Sequence, residues 1–263
     1  MLSGTAFISG AAQGIGLQTA HTFAKHGIDQ LALADANLEV LETAVKELKA
    51  KYPRVEIFPL HVDVRDTSQV QEAFEKIVKR FGRLDIAVNN AGIEGPHVDT
   101  HTVNEKDWAN LVEINLNGVW RCQREELRIM LNQEDQGLRH GRGRIVNVAS
   151  TWGICAPPRD LPHTAYTASK HGVVGLTKAD AVAYGRNKIR LNAVCPGFTR
   201  TPLCDELLAQ GVDSPFGRAI EWSSLGRLAE PEEVADCIAF LASPLSSYMQ
   251  GASVLVDGGI TLS

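Results

Sequence analysis

Tyr166 and Lys170 stand four residues apart in Tyr166-Thr167-Ala168-Ser169-Lys170, a spacing that puts both side chains on one face of a helix. Free tyrosine, with a pKa of about 10, is a poor base at neutral pH. An ammonium beside the phenol favours the phenolate and brings proton transfer into the working range. Ser150, which ends the run Asn147-Val148-Ala149-Ser150, can hold the substrate oxygen whose proton the tyrosine moves.

A second constellation lies near the start of the chain. Ser9-Gly10-Ala11-Ala12-Gln13-Gly14-Ile15-Gly16 directly follows a short apolar run and opens an amphipathic one. Glycines at such a turn let a pyrophosphate approach a helix N-terminus, where free N–H groups and the dipole favour negative charge. The spacing of Gly10, Gly14 and Gly16 differs from G-x-G-x-x-G, so the turn is not the commonest dinucleotide fingerprint. The next apolar run, LALAD, ends in Asp35 at the distance where a ribose-binding carboxylate belongs. That carboxylate accepts hydrogen bonds from both ribose hydroxyls and repels a 2′-phosphate. No Lys or Arg occurs among residues 10 to 16 or at Ala36 to offset the repulsion, so NAD is expected rather than NADP.

These residues need elements to position them. Short apolar runs alternate with longer amphipathic segments throughout, the pattern of βαβ units around a parallel sheet. Strands are expected at Thr5 to Ser9, Leu31 to Ala34, Val55 to Val62, Leu84 to Asn89, Arg144 to Ala149, Ile189 to Val194 and Ala252 to Val256. Helices are expected at about 14–26, 37–50, 67–81, 104–132, 164–185 and 231–242, the last beginning with Glu230-Pro231-Glu232-Glu233, proline at the first helical position and acids in the first turn. Nothing separates a second domain. The expected fold is one α/β domain over 1–263, a Rossmann-like, doubly wound seven-stranded parallel sheet with helices on both faces. Residues 199–226 break the rhythm with clusters such as Leu203, Leu207, Leu208, Phe216 and Trp222, and are expected to form a substrate lid.

In this order the motifs resemble those of the short-chain dehydrogenase/reductase family along essentially the whole chain: the glycine turn, Asp63-Val64, Asn89-Asn90-Ala91-Gly92, Asn115 in Ile-Asn-Leu-Asn-Gly, Ser150, Tyr166-x-x-x-Lys170 and Pro196-Gly197. The resemblance implies that Tyr166 is the general acid/base, that Lys170 lowers its pKa and binds the nicotinamide ribose, that Ser150 orients the reacting oxygen, and that Asn115 anchors a water in a proton relay. It implies further that Gly10, Gly14, Ile15 and Gly16 cradle the pyrophosphate, Asp35 the ribose, Asp63 and Val64 the adenine, and Asn90, Ala91 and Gly92 the adjoining cofactor face. Pro196, Gly197, Thr199 and Thr201 would shape the nicotinamide end. Three departures stand out: Ser9 where threonine is usual, Ala149 ahead of Ser150, and a long Ser150–Tyr166 segment carrying Pro157, Pro158, Arg159, Asp160 and Pro162.

Composition removes other readings. Lys+Arg 26 against Asp+Glu 31 gives a net charge of −5, without the basic excess that nucleic acid or an anionic membrane would attract. The N-terminus lacks a signal-type pattern, and a cytoplasmic location is expected. Five unpaired-looking cysteines fit a reduced compartment. No metal is expected, because His97 and His101 have no further Cys or acidic ligand at suitable spacing and His171 simply follows Lys170. Trp120 is expected in the core, while Trp152 and Trp222 are open between core and substrate contact. The helix bearing Tyr166 is apolar on more than one face, which predicts a homotetramer, or a homodimer. The expected reaction is NAD-linked oxidation of a lipophilic or cyclic secondary alcohol, or the reverse reduction of its ketone. A 3-oxoacyl thioester reductase is the alternative within the family, and a non-catalytic NAD-binding regulator the alternative outside enzymology.

Overall fold

The computed structural model describes residues 2–209, 211 and 213–262. Its strands are β1 (Thr5–Ser9), β2 (Gln30–Asp35), β3 (Glu56–His61), β4 (Ile86–Asn89), β5 (Gly143–Val148), β6 (Ile189–Pro196) and β7 (Ser253–Val256). They form one seven-stranded, all-parallel sheet in the order β3-β2-β1-β4-β5-β6-β7. Side chains alternate across a strand, and in β1 Ala6 and Ile8 enter one core while Phe7 enters the other. The first core lies under α1 (Gly14–Lys25), α2 (Leu38–Lys51) and α9 (Pro231–Ala242). The second lies under α3 (Thr67–Phe81), α5 (Val119–Asn132) and α6 (Thr164–Tyr184). Burial on both faces explains why most strands read as continuous apolar runs. Proline within β3, at Pro59, is tolerated because β3 is an outer strand.

Local chemistry fixes the helix ends. The Asp66 side chain caps α3 by accepting from Ser68 N and Gln69 N, and Gly82 ends it in the left-handed region at φ 79°. Glu230 and Glu233 form a reciprocal capping box at the start of α9. Asn37 caps α2, leaving the Asp35 carboxylate to other partners.

One expectation is corrected and two segments gain detail. The helix foreseen over 104–132 runs as α4 (Glu105–Val112), a π-helical turn at Glu113–Gly118 and α5, and in that turn the Asn115 side chain is tied to a neighbouring loop. Trp120 is 44% exposed, with the Arg124 guanidinium 4.9 Å from its ring centroid, and is not a core residue. The 199–226 segment, foreseen as a break in the rhythm, holds α7 (Asp205–Leu208) and α8 (Pro215–Glu221). Within it, Gln210, Val212 and the side chain of Leu207 lie outside the described residues. Among the described residues no helix is long and apolar enough to cross a membrane.

Candidate active site

The strand order reverses between β1 and β4, and a crevice opens there at the C-terminal ends of the strands. A cavity of about 300 Å³ occupies it, lined by Gly10, Gly14, Ile15, Asp35, Asp63, Val64, Asn90, Ala91 and Gly92. Gly10 turns the chain at φ 63°, and a Cβ there would come 2.8 Å from Ala91 Cα. Gly16 packs behind this turn, off the cavity wall. Ser9 keeps the hydroxyl function of the residue it replaces: its Oγ accepts from Asn90 N at 3.0 Å and Ala91 N at 3.1 Å. The Asn90 amide in turn donates to Ser9 O and Gly10 O, so Asn90 braces the turn as well as lining the cavity.

The cavity suits a dinucleotide. Gln13, at the N-cap of α1, makes no side-chain capping bond and the first turn holds no acid, so the helix presents its N–H groups and positive dipole end to a phosphate. Asp35 Oδ2 accepts from Ala12 N at 3.0 Å and Oδ1 from Asn37 N at 2.9 Å, which fixes the carboxylate on the cavity wall. Sequence reasoning missed one cation here. Arg65 also lines the cavity, but its Nη2 lies 2.6 Å from Asp63 Oδ2, its Nε bonds both Asp63 oxygens, and Nη1 donates to Asn110. The pair is neutral, and the Asp63 carboxyl is held below its ordinary pKa chiefly by the Arg65 hydrogen bond.

A second cavity, of about 130 Å³, adjoins the first and shares Ile15, Asn90, Gly92, Ile93, Thr201 and Leu203 with it. Ser150, Tyr166 and Lys170 line it together with Pro196, Gly197, Thr199 and Thr201. Ser150 follows β5 and opens a single 3₁₀ turn, while Tyr166 and Lys170 project from the first turns of α6. Lys170 Nζ donates to Val148 O at 2.9 Å and lies 5.5 Å from the Tyr166 ring centroid. Asn115 is buried beneath: its Oδ1 accepts from Ile93 N and its Nδ2 donates to Ile93 O, both at 2.8 Å, joining the π-helical turn to the loop after β4.

Electrostatics here depend on burial. Burial pushes the Tyr166 phenol well above its usual pKa, and a Ser150 hydrogen bond opposes that rise. Burial also brings Lys170 down to about 8. In the protein alone the phenol is therefore an acid, and further positive charge near it is needed before it can serve as a base. Below the site, Asn89 Nδ2 donates to Glu126 Oε2 and Asn147 Oδ1, and Asn147 Nδ2 donates to Gln123 and Thr177. Glu126 is fully buried, and that burial raises its carboxyl to about 8.

The roof of the second cavity is apolar. Leu161, Cys204, Phe216, Ala219 and Leu228 form a small core, against which Phe198, Leu208 and Ile220 pack. The long loop after Ser150 joins this core through Leu161, and Asp160 reaches Arg218 at 3.8 Å. Trp152 lines the cavity against Phe198, whereas Trp222 is 47% exposed and off its wall. Glu94 and His163 also line this cavity and escaped sequence reasoning. The signal for His163 was its place three residues before Tyr166, onto whose ring it stacks with centroids 4.5 Å apart and planes 7° apart.

Comparison with known proteins follows the same lines. The family described as enoyl-(acyl carrier protein) reductase matches residues 10–261. The chain is 38% identical over 255 residues to the 3-oxoacyl-[acyl-carrier-protein] reductase FabG of Thermotoga maritima, covering 97% of this chain and 96% of that protein. It is 40% identical over 265 residues to the oxidoreductase UcpA of Salmonella typhimurium, covering 98% and 94%. The crystal structure of levodione reductase superposes with a TM-score of 0.89 at 35% identity, covering 99% of this chain and 98% of that one.

Proposed function

The chain belongs to the short-chain dehydrogenase/reductase family, and from that premise we propose that this oxidoreductase is NAD-dependent and acts between a secondary alcohol and its ketone. One observation carries the reading: Ser150, Tyr166 and Lys170 share a wall of a cavity that adjoins, through common lining residues, the crevice ending at Asp35. The nicotinamide, when bound, supplies the hydride-accepting carbon. Ser150 holds the carbinol oxygen, and the Tyr166 hydroxyl group takes or returns its proton. Lys170 is aimed by Val148 O, and Asn115, locked to Ile93, keeps the floor beneath in place. Trp152, Phe198, Leu203 and Phe216 exclude water and favour a lipophilic or cyclic substrate. Asp35 favours NAD, and because that pool is mostly oxidised in cells, alcohol oxidation is the favoured direction.

Absorbance of the reduced nicotinamide, followed with a panel of cyclic and aliphatic secondary alcohols and with either cofactor, tests this reading. Turnover with NADP in preference to NAD would overturn the cofactor assignment. The Thermotoga relative favours a second reading, reduction of a 3-oxoacyl thioester, and an acetoacetyl thioester in the same assay decides between them. We also propose a homotetramer, supported by the exposed apolar Val182 on α6, which is 85% accessible. Light scattering showing a stable monomer would reject it.

A further inference from the structure

We infer that Glu94, His97 and His163 form a binding site for one zinc-class dication on the wall of the second cavity. The chain brings the three together from a loop and from the residue that precedes α6, and their ligand-capable atoms all lie within 4.8 Å of one another.

The arrangement of the unpaired atoms points to an ion. His97 Nε2 lies 3.1 Å from Glu94 Oε1, yet the two are not aligned as a hydrogen bond, and both ring nitrogens of His97 are shut off from water without a hydrogen-bond partner among the described residues. Two ligands of a tetrahedral zinc, each about 2.0–2.1 Å from the metal, lie roughly 3.3 Å apart. The pair thus has the separation of two groups sharing one ion.

His163 is prepared in a complementary way. Its Nε2 is 2.7 Å from Glu94 O, and a carbonyl can only accept, so Nε2 carries the proton and Nδ1 carries the lone pair. Nδ1 has no hydrogen-bond partner among the described residues. An outer bond from the ring N–H to a backbone carbonyl is what fixes the tautomer and direction of a metal-ligating imidazole. The His97 and His163 rings lie 4.2 Å apart at 34°. Binding requires the widest ligand separation to contract by about 1.5 Å.

Two imidazoles and one carboxylate suit zinc better than magnesium or calcium, which prefer oxygen donors. Three protein ligands leave a fourth position, and because Glu94 and His163 line the cavity that holds Tyr166, that position opens on the cavity. A spacing argument restricted to His97 and His101 overlooks Glu94, three residues before His97, and cannot foresee His163 at all.

The site lies in the same cavity as Tyr166, and its test is independent of the proposed reaction because it reads binding and not turnover. Zinc is titrated into the tag-free full-length protein against a chromogenic chelator, and cobalt is added to the same protein for its visible spectrum. One zinc per chain is expected, with cobalt bands of nitrogen and oxygen ligation and no thiolate charge-transfer band. Glu94→Gln and His97→Gln are each expected to weaken zinc binding at least tenfold, while His101→Gln on the same loop retains wild-type affinity. Absence of stoichiometric binding, equal affinity in all three variants and wild type, or a thiolate band in the wild-type cobalt spectrum would each overturn the site. The wild-type spectrum makes the test independent of how any variant folds.

Discussion

The two adjoining cavities are built on opposite plans. The larger one draws its specific groups from the ends of β1 to β4, and its charged groups keep contact with water: Asp35 is held open by two backbone amides, and Asp63 and Arg65 neutralise each other at the rim. The smaller one gathers Glu94, Ser150, His163, Tyr166, Lys170 and Phe216 from distant parts of the chain and buries most of them. Solvated charge selects among ligands that arrive with charge of their own. Buried ionisable groups instead have their protonation set by surroundings, so their reactivity depends on what fills the space beside them.

Changes on each side should therefore fail differently. The largest effect is expected from Tyr166→Phe, which deletes the proton-carrying oxygen: turnover should fall by about 10²–10⁴-fold with NAD affinity, read by fluorescence quenching, nearly unchanged. Wild-type turnover in this variant would break the catalytic assignment. Glu126→Gln follows, and it acts on stability. The folded carboxyl keeps its proton to about pH 8, while the unfolded one loses it near its ordinary value of 4.5. The folded state thus binds the extra proton between those limits, and wild-type stability declines as pH rises through that window by up to about 1.4 kcal/mol per pH unit. Melting curves near pH 5.5 and pH 8.5 should show a decline in wild type that Glu126→Gln largely abolishes; parallel declines would exonerate Glu126.

On the solvated side, Asp35→Ser should shift the NAD-to-NADP ratio of kcat/KM by about 10–100-fold toward NADP, since removing one unit of repulsion at close range near the surface is worth about 1–4 kcal/mol. An unchanged ratio would mean that discrimination lies elsewhere. The smallest contrast is within the roof: Trp152→Ala should raise KM for a lipophilic alcohol about tenfold, and Trp222→Ala should leave it within about twofold. Equal effects would show that the exposed Trp222 reaches the substrate after all.

The larger cavity was mostly legible in the sequence because its groups sit at strand ends, where a glycine turn or a terminal acid has one evident use. Even so, Arg65 was overlooked, since the search for cations stopped at the first two strand ends. The smaller cavity was legible only at Ser150, Tyr166 and Lys170. Its electrostatics were not, because burial is a tertiary property, and it is desolvation that raises the Tyr166 pKa. The π-helical turn within the helix over 104–132 escaped for a similar reason: Asn115 is bound by a loop 22 residues earlier in the chain, a contact no periodicity reveals. Trp120 shows the converse error, a large apolar ring at mid-helix that the fold leaves at the surface of this chain.

The π-helical turn has one more consequence. It ends at Gly118, where a Cβ would come 2.6 Å from Val64 Cγ2, on the wall of the larger cavity. Asn115, three residues earlier, is clamped to the loop bordering both cavities. The turn therefore ties the two cavities to one piece of backbone, and bulk added at Gly118 would disturb both together while lining neither.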